Sequence, residues 1–390
     1  MNRELEGFLF EAYSKSPNLR RVYLNKTLKE LIPGIFLGPY IFACGYSNSS
    51  LSEKLAICWS SNQIQAVSRF FSDGDRIVVI NARAYRGIKL RNFKLLIGLM
   101  LIDLAALISI ICKSLTLSYL NRPLGVKGEL RYFEAKKWNL ISKSIFVKNR
   151  SLKELIFASN ITPVERAFIL GVPRGIKVTL VEHGTPMECY PSLRRIDYVM
   201  AHGQRLIDVY KKNSTEDFKF SIKGRELPRH SSQNDGKPQK LRHMNITVCV
   251  NNFTRMKDFV IILRDISKRF NGASVCVRGH PAFSKKTNAA YRDAVSSICR
   301  FEVAAERPLD NLLDNTDLVI CGSSTLVIDA LSRFVPVALA DFDELEEEYA
   351  FKALGVACDY KEVDLSELPK YLSLSLRAAV QFNAAFEEMT

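Results

Sequence analysis

A chain of 390 residues, 47% hydrophobic and 25% charged, is long enough for two domains of ordinary size and too apolar to stay disordered. Its net charge of +14 is unevenly spread: residues 245–390 hold 16 Lys+Arg and 21 Asp+Glu, so a basic excess of +19 belongs to residues 1–244, a surface suited to phospholipid headgroups, an acidic glycan or nucleic acid. The nine cysteines are scattered, several in apolar runs, with no C-x-x-C pair, which argues against zinc and fits buried free thiols in a reducing compartment.

The first six residues lack a signal-peptide pattern, and the expected location is the cytoplasm. Residues 1–32 read as helical, 36–44 as a buried strand despite Pro39, since proline is tolerated near strand starts, and 61–71 as a helix. Asp73-Gly74-Asp75 spells a D-x-D but precedes the strand 76–81 instead of following it, so it reads as a turn. The apolar run 95–112 is at the lower length limit for crossing a bilayer. Asp103 in its middle would cost about 2.5–3.5 kcal/mol on insertion, so the run reads as a buried or interfacial helix. Lys89, Arg91, Lys94 and Lys113 flank it and leave a place on an anionic membrane open.

Further on, 145–147 reads as a strand, 151–158 and 163–170 as helices, 176–181 and 196–200 as strands, and 203–212 as a helix. Residues 223–243 combine glycine, prolines and polar residues with no apolar period, which makes them a linker. The domains are therefore expected at 1–222 and 245–390, joined by 223–244. Beyond the linker, strands at 245–250, 273–278, 301–304, 317–320 and 336–340 alternate with helices at 254–268, 286–298, 308–313, 324–333 and 343–353, and 365–388 closes as a helix. That alternation predicts an α/β fold of two Rossmann-like domains facing a cleft, each with a parallel sheet.

Chemistry gathers where strands end. Glu182-His183-Gly184-Thr185-Pro186 follows one strand in the first domain. Arg278-Gly279-His280-Pro281 and Cys321-Gly322-Ser323-Ser324-Thr325 follow two in the second, and Asn251 and Asn252 end its first. Ligands of such sheets sit beyond the carboxyl ends of the strands, and a helix opening after Ser324 would favour a phosphate. Taken singly, His280-Pro281 is also a simple turn and Ser323-Ser324 a helix cap.

The ordered set resembles bacterial glycosyltransferases of GT-B architecture that use cytidine nucleotides, namely sialyltransferases, Kdo transferases and CDP-glycerol glycerophosphotransferases. The resemblance rests on His280-Pro281, Ser323-Ser324-Thr325 and Glu182-His183-Gly184-Thr185-Pro186, which span roughly 160 residues. It implies an inverting, metal-independent transferase with no cofactor, whose nucleotide sugar is a substrate. His183 would be the base, with Glu182 the second choice, and Gly184 and Thr185 would form the acceptor turn. Arg278, His280, Pro281, Gly322, Ser323, Ser324, Thr325 and Asn252 would hold the donor. A CMP-linked ulosonic acid, Kdo or sialic acid, is the first donor, and CDP-glycerol or another polyol phosphate the second. The acceptor would be a cell-surface glycan, free or lipid-linked, in capsule or lipopolysaccharide assembly, with the basic domain on the inner face of an anionic membrane. The acidic stretch 341–349 also resembles the teichoic acid enzymes, where it would meet ribose hydroxyls or simply open a helix. A nucleotide-sugar epimerase would use the same architecture. Nucleic acid is not expected as a partner, because no basic motif interleaved with aromatics appears.

Overall fold

The computed structural model describes residues 9, 11, 15, 16, 39, 53–58, 61–71, 77–81, 93–114, 125–148, 151–224, 244–251, 254–281, 283–340, 342 and 345–389. They divide into two compact units. The first comprises Met1–His183, Cys189–Ala201 and Leu206–Lys223, the second Gly184–Glu188, His202–Arg205 and Gly224–Thr390. Most of the expected linker, 225–243, lies outside the described residues, as do Asp73-Gly74-Asp75, Asn252, Asp341 and Asp343.

The first unit is built on six parallel strands, β1 (Lys54–Cys58), β2 (Ile77–Asn81), β3 (Glu154–Phe157), β4 (Lys177–Val181), β5 (Tyr198–Ala201) and β6 (Lys219–Ile222), in the order β2-β1-β3-β4-β5-β6. Its described helices are α1 (Ser61–Phe70), α2 (Phe93–Ser114), α3 (Gly125–Lys148), α4 (Pro163–Leu170) and α5 (Gln204–Asn213). Leu155, Ile156 and Phe157 of β3 are wholly buried between β1 and β4, as expected of a parallel strand covered on both faces.

Two expectations fail here. The run 145–147 is the last turn of α3, not a strand. The buried set Leu130, Phe133, Trp138, Ile141 and Ile145 recurs at three- to five-residue intervals, and a helical stripe of that length overrides the local β-branched run. Conversely, 151–158 is not a helix but contains β3, whose last three residues are buried, because a strand covered on both faces of a sheet needs no alternating pattern. Strands β1 and β6 were not anticipated. Of the expected strand 36–44, Pro39 alone is described, and it is helical; Leu9, Glu11 and Lys15 are helical as expected.

Helix α2 explains the mid-run aspartate. Asp103 accepts a 2.6 Å ion-pair contact from Lys137 Nζ of α3, and the lysine side chain is completely buried. The other side of α2 is bare, with Ile97, Met100, Leu101, Leu104, Leu107 and Ile108 all exposed. Among the described residues no helix is long and apolar enough to cross a membrane.

The second unit carries β7 (Asn245–Cys249), β8 (Ser274–Arg278), β9 (Arg300–Glu302), β10 (Leu318–Cys321), β11 (Val337–Leu339) and β12 (Cys358–Asp359), all parallel, in the order β12-β11-β10-β7-β8-β9. Relative to the unit's own sequence, that order is six-five-four-one-two-three, the doubly wound arrangement whose chain direction reverses between its first and fourth strands, here β7 and β10. The intervening helices are α6 (Met256–Arg269), α7 (Lys285–Val295), α8 (Leu309–Leu313), α9 (Leu326–Leu331), α10 (Glu346–Tyr349) and α11 (Leu368–Ala379). The expected helix 324–333 shortens to six residues and 343–353 to four, while 365–388 breaks into a 3-10 turn, α11 and a second 3-10 turn.

Candidate active site

In the second unit the motif turns fall on either side of the reversal point. Asn251 follows β7, the Arg278–Pro281 turn follows β8, and Gly322 to Thr325 follow β10. Gly279 is forced by packing, since a Cβ there would lie 2.8 Å from both Asn288 Oδ1 and Phe301 Cζ. Its N–H donates to the Glu302 carbonyl at 3.0 Å, and the Phe283 N–H donates to the His280 carbonyl at 3.0 Å, closing the turn. His280 is partly exposed, with its ring 5.9 Å from that of Phe283. Burial lowers its pKa, which favours a neutral imidazole at pH 7. Pro281 is exposed.

Arg278 is turned inward. Its guanidinium donates to the Arg307 carbonyl at 2.8 Å and the Ala304 carbonyl at 3.3 Å, so two of its donor groups brace the loop after β9. Asn251 folds back on its own turn, its N–H donating to Thr254 Oγ1 at 3.3 Å.

The serine turn separates into a buried and an open half. Ser323 is 3% exposed and its hydroxyl donates to Glu346 Oε2 at 2.6 Å, while Glu346 Oε1 accepts from the Lys352 N–H at 2.6 Å. Glu346, from the acidic stretch, is thus a strut beneath this turn. Ser324 and Thr325 are partly exposed. Neither serine caps the helix: Thr325 holds the cap position without a side-chain bond. The Gly184–Glu188 segment belongs to the same unit, and a Cβ at Gly184 would touch Thr325 Oγ1 at 3.5 Å, an ordinary contact. Gly184 is therefore not held by a backbone conformation reserved for glycine. Thr185 is buried.

In the first unit His183 stands two residues beyond β4, beside the end of β3. Burial lowers its pKa, and the negative charge of Glu165 and a hydrogen bond with the Ala158 backbone act in the opposite sense. Glu182, one residue earlier, is buried, and its N–H donates to the Met200 carbonyl at 2.8 Å. Its charge reaches Tyr210, whose hydroxyl is driven well above the usual phenol pKa by burial, then by Glu182 and Glu165 against the opposing Arg166. The tyrosine O–H donates to Asn160 Oδ1 at 2.8 Å.

Sequence reasoning missed this surrounding shell. Glu165 is 3% exposed and accepts from Gln63 Nε2 at 3.1 Å, Ser159 Oγ at 2.8 Å and the Thr162 N–H at 3.0 Å. The Thr162 hydroxyl accepts from the Glu165 N–H at 3.3 Å, completing a capping box at the start of α4. Thr162-Pro163-Val164-Glu165 carries that signature openly; what the sequence hides is that the box lies at the carboxyl edge of the sheet. Next to it, Arg166 is 1% exposed and reaches Glu11 Oε2 at 2.9 Å and the Ser192 carbonyl at 3.2 Å. Among the described residues no group of three His, Cys, Asp or Glu is placed to hold a metal ion.

No family model matches the chain, and no curated protein matches it by sequence. Solved structures with a similar fold include the wall teichoic acid polymerase TagF soaked with CDPG, 11% identical over 96% of each chain with a TM-score of 0.46. Another is the UDP-GlcNAc 2-epimerase of Methanocaldococcus jannaschii with UDP-GlcNAc and UDP, 14% identical over 83% of this chain and 92% of that one, TM-score 0.45. The pneumococcal O-GlcNAc transferase GtfA, with UDP and GlcNAc, is 9% identical with a TM-score of 0.37. The match covers 64% of this chain and 53% of that one, so the chain spans about half of that protein's length.

Proposed function

We propose that the chain is an inverting, metal-independent glycosyltransferase that moves a sugar from a nucleotide donor to a glycan or lipid-linked glycan acceptor. One observation carries the reading: the His280 turn and the Ser324–Thr325 turn flank the reversal between β7 and β10, the place where doubly wound sheets receive nucleotides. The hydroxyls of Ser324 and Thr325 and the His280 ring meet the donor phosphate, while Arg278 and Glu346 hold the two turns in shape. His183 takes the proton of the acceptor hydroxyl as its oxygen bonds to the anomeric carbon and the nucleotide leaves with the electron pair of the broken C–O bond. A CMP-linked ulosonic acid is the preferred donor, supported by the run from Ser323 to Leu331, with CDP-glycerol as the alternative. The exposed apolar residues of α2, flanked in sequence by Lys89, Arg91, Lys94 and Lys113, suit the surface of an anionic membrane.

A thermal-shift comparison of CMP, CDP, UDP and GDP tests the donor. A matching nucleotide at a hundred times its Kd stabilises by about 2.7 kcal/mol, and a cytidine nucleotide is expected to give that response. His280→Ala and Ser324→Ala should lose it and His183→Ala should keep it. A wild-type protein unmoved by all four nucleotides refutes the reading.

A further inference from the structure

Glu165 is more strongly built than a helix cap requires. Its carboxylate is buried and receives three hydrogen bonds, all from neutral donors. Glutamine serves the same place in a capping box, and a buried carboxylate is costly to hold without a cation. A charge kept there calls for a second task. The strand order supplies one: reversal between β1 and β3 puts Gln63, after β1, and Ser159 and Glu165, after β3, at the switch point of the first sheet. His183 leaves the neighbouring β4.

Ala158, whose backbone bonds His183, adjoins Ser159, whose hydroxyl bonds Glu165. We propose that Glu165, fixed by Gln63, Ser159 and Thr162 behind that strand end, acts through space on His183 by steadying the imidazolium that forms on proton abstraction. The chemical half of this inference rests on the transferase reading above; the charge coupling does not. When the acceptor O–H breaks, its proton moves to the ring nitrogen, the oxygen forms its bond to the anomeric carbon, and the nucleotide departs with its electron pair. The ring becomes a cation in a half-buried place, and a fixed anion nearby lowers the energy of that state. Of the other ionisable groups around this cluster, three do not supply that anion. The Cys58 thiol on β1 is pushed to about 12 by burial and by Glu165, the Tyr210 phenol on α5 is held neutral, and Arg166 on α4 is paired with Glu11. Glu182 is the other carboxylate of this edge, and its charge is felt at Tyr210.

Glu165→Gln in the full chain keeps the cap and removes the charge. With five histidines in the chain, His183 can be followed by ring NMR and assigned by its loss in His183→Ala. In Glu165→Gln the His183 titration should move to lower pH, and kcat should fall about 10–100-fold, the size seen when the carboxylate behind a metal-bound histidine is lost, with donor KM unchanged and the acidic limb of the rate profile moved the same way. Thr162→Ala weakens the cap and leaves the charge; it should lower Tm while His183 titrates as in wild type. Should Glu165→Gln fail to fold, Ser159→Ala loosens the carboxylate and should reduce kcat in the same sense; a wild-type kcat and pH profile there overturns the inference. An unmoved His183 titration in folded Glu165→Gln overturns it as well. A moved titration in a protein that transfers no sugar from any nucleotide donor sinks the transferase reading and leaves the coupling standing.

Discussion

Removing Asp103 should cost more than its half-hidden place on a surface helix suggests. The Lys137 ammonium that it meets at 2.6 Å has no exposed side-chain surface, whereas Asp103 keeps 20% of its own. The two deletions are therefore unequal. Asp103→Ala takes a counter-charge from an ammonium that cannot reach water without parting α2 from α3, and losing one partner of a buried pair costs about 3–5 kcal/mol. Lys137→Met leaves a carboxylate that can turn outward to water, so its cost should be nearer about 1–3 kcal/mol. The double variant, Asp103→Ala with Lys137→Met, replaces the pair by apolar groups and should fall within about 1 kcal/mol of wild type, since such swaps are often neutral. Urea unfolding followed by far-ultraviolet circular dichroism measures all three, read on the transition of the first unit because two units need not unfold together. A loss below about 1 kcal/mol in Asp103→Ala, or additive losses in the double variant, would refute the argument that burial of the lysine sets the cost.

His183→Ala should lower kcat about 10²–10⁴-fold with donor KM little changed, as for a group used in the transition state; steady-state kinetics decide it, and product of retained configuration would exclude a single displacement. Because burial outweighs the help of Glu165 at His183, the acidic limb of kcat/KM should lie below the ordinary histidine value of 6.5, activity rising with pH through it as the ring loses its proton. The same depressed pKa gives a stability contribution present above the unfolded value and lost as pH falls through the folded one. Co-sedimentation with vesicles containing anionic lipid should exceed that with neutral vesicles, and the paired change Leu101→Glu and Leu104→Glu should abolish the difference; binding indifferent to both lipid charge and these residues would remove the membrane from the proposal.

The second sheet was nearly readable from the chain because each of its inner strands is a short apolar run closed by a turn, and the runs of β7 and β8 have helices of the expected length after them. What escaped was β12, two residues long, and the shortening of the helices after β10 and β11. In the first unit the same logic misled. Residues 145–147 look like a strand in isolation, yet they complete a 24-residue helix whose packing face is set by Phe133, Trp138 and Ile141. Strand β6 carries exposed Phe220 and Ile222 on a sheet edge, where burial leaves little pattern to read. The turn motifs were found because strand ends are local. Glu165 was not, since Gln63 lies 102 residues away from it, and only the fold brings such partners together.

The buried sulfurs give the protein a built-in record of its own opening. Cys58 and Cys249 are buried, each thiol pushed by burial to about 12, with Arg278 working the other way at Cys249, so almost none of the reactive thiolate exists at neutral pH. One lies in the first sheet beside Asn81 of β2 and the other in the second beside Cys321 of β10. A thiol reagent is thereby excluded by both shape and ionisation until a sheet parts. Peptide-resolved labelling would date the loosening of each half separately, from chemistry already present in the natural sequence.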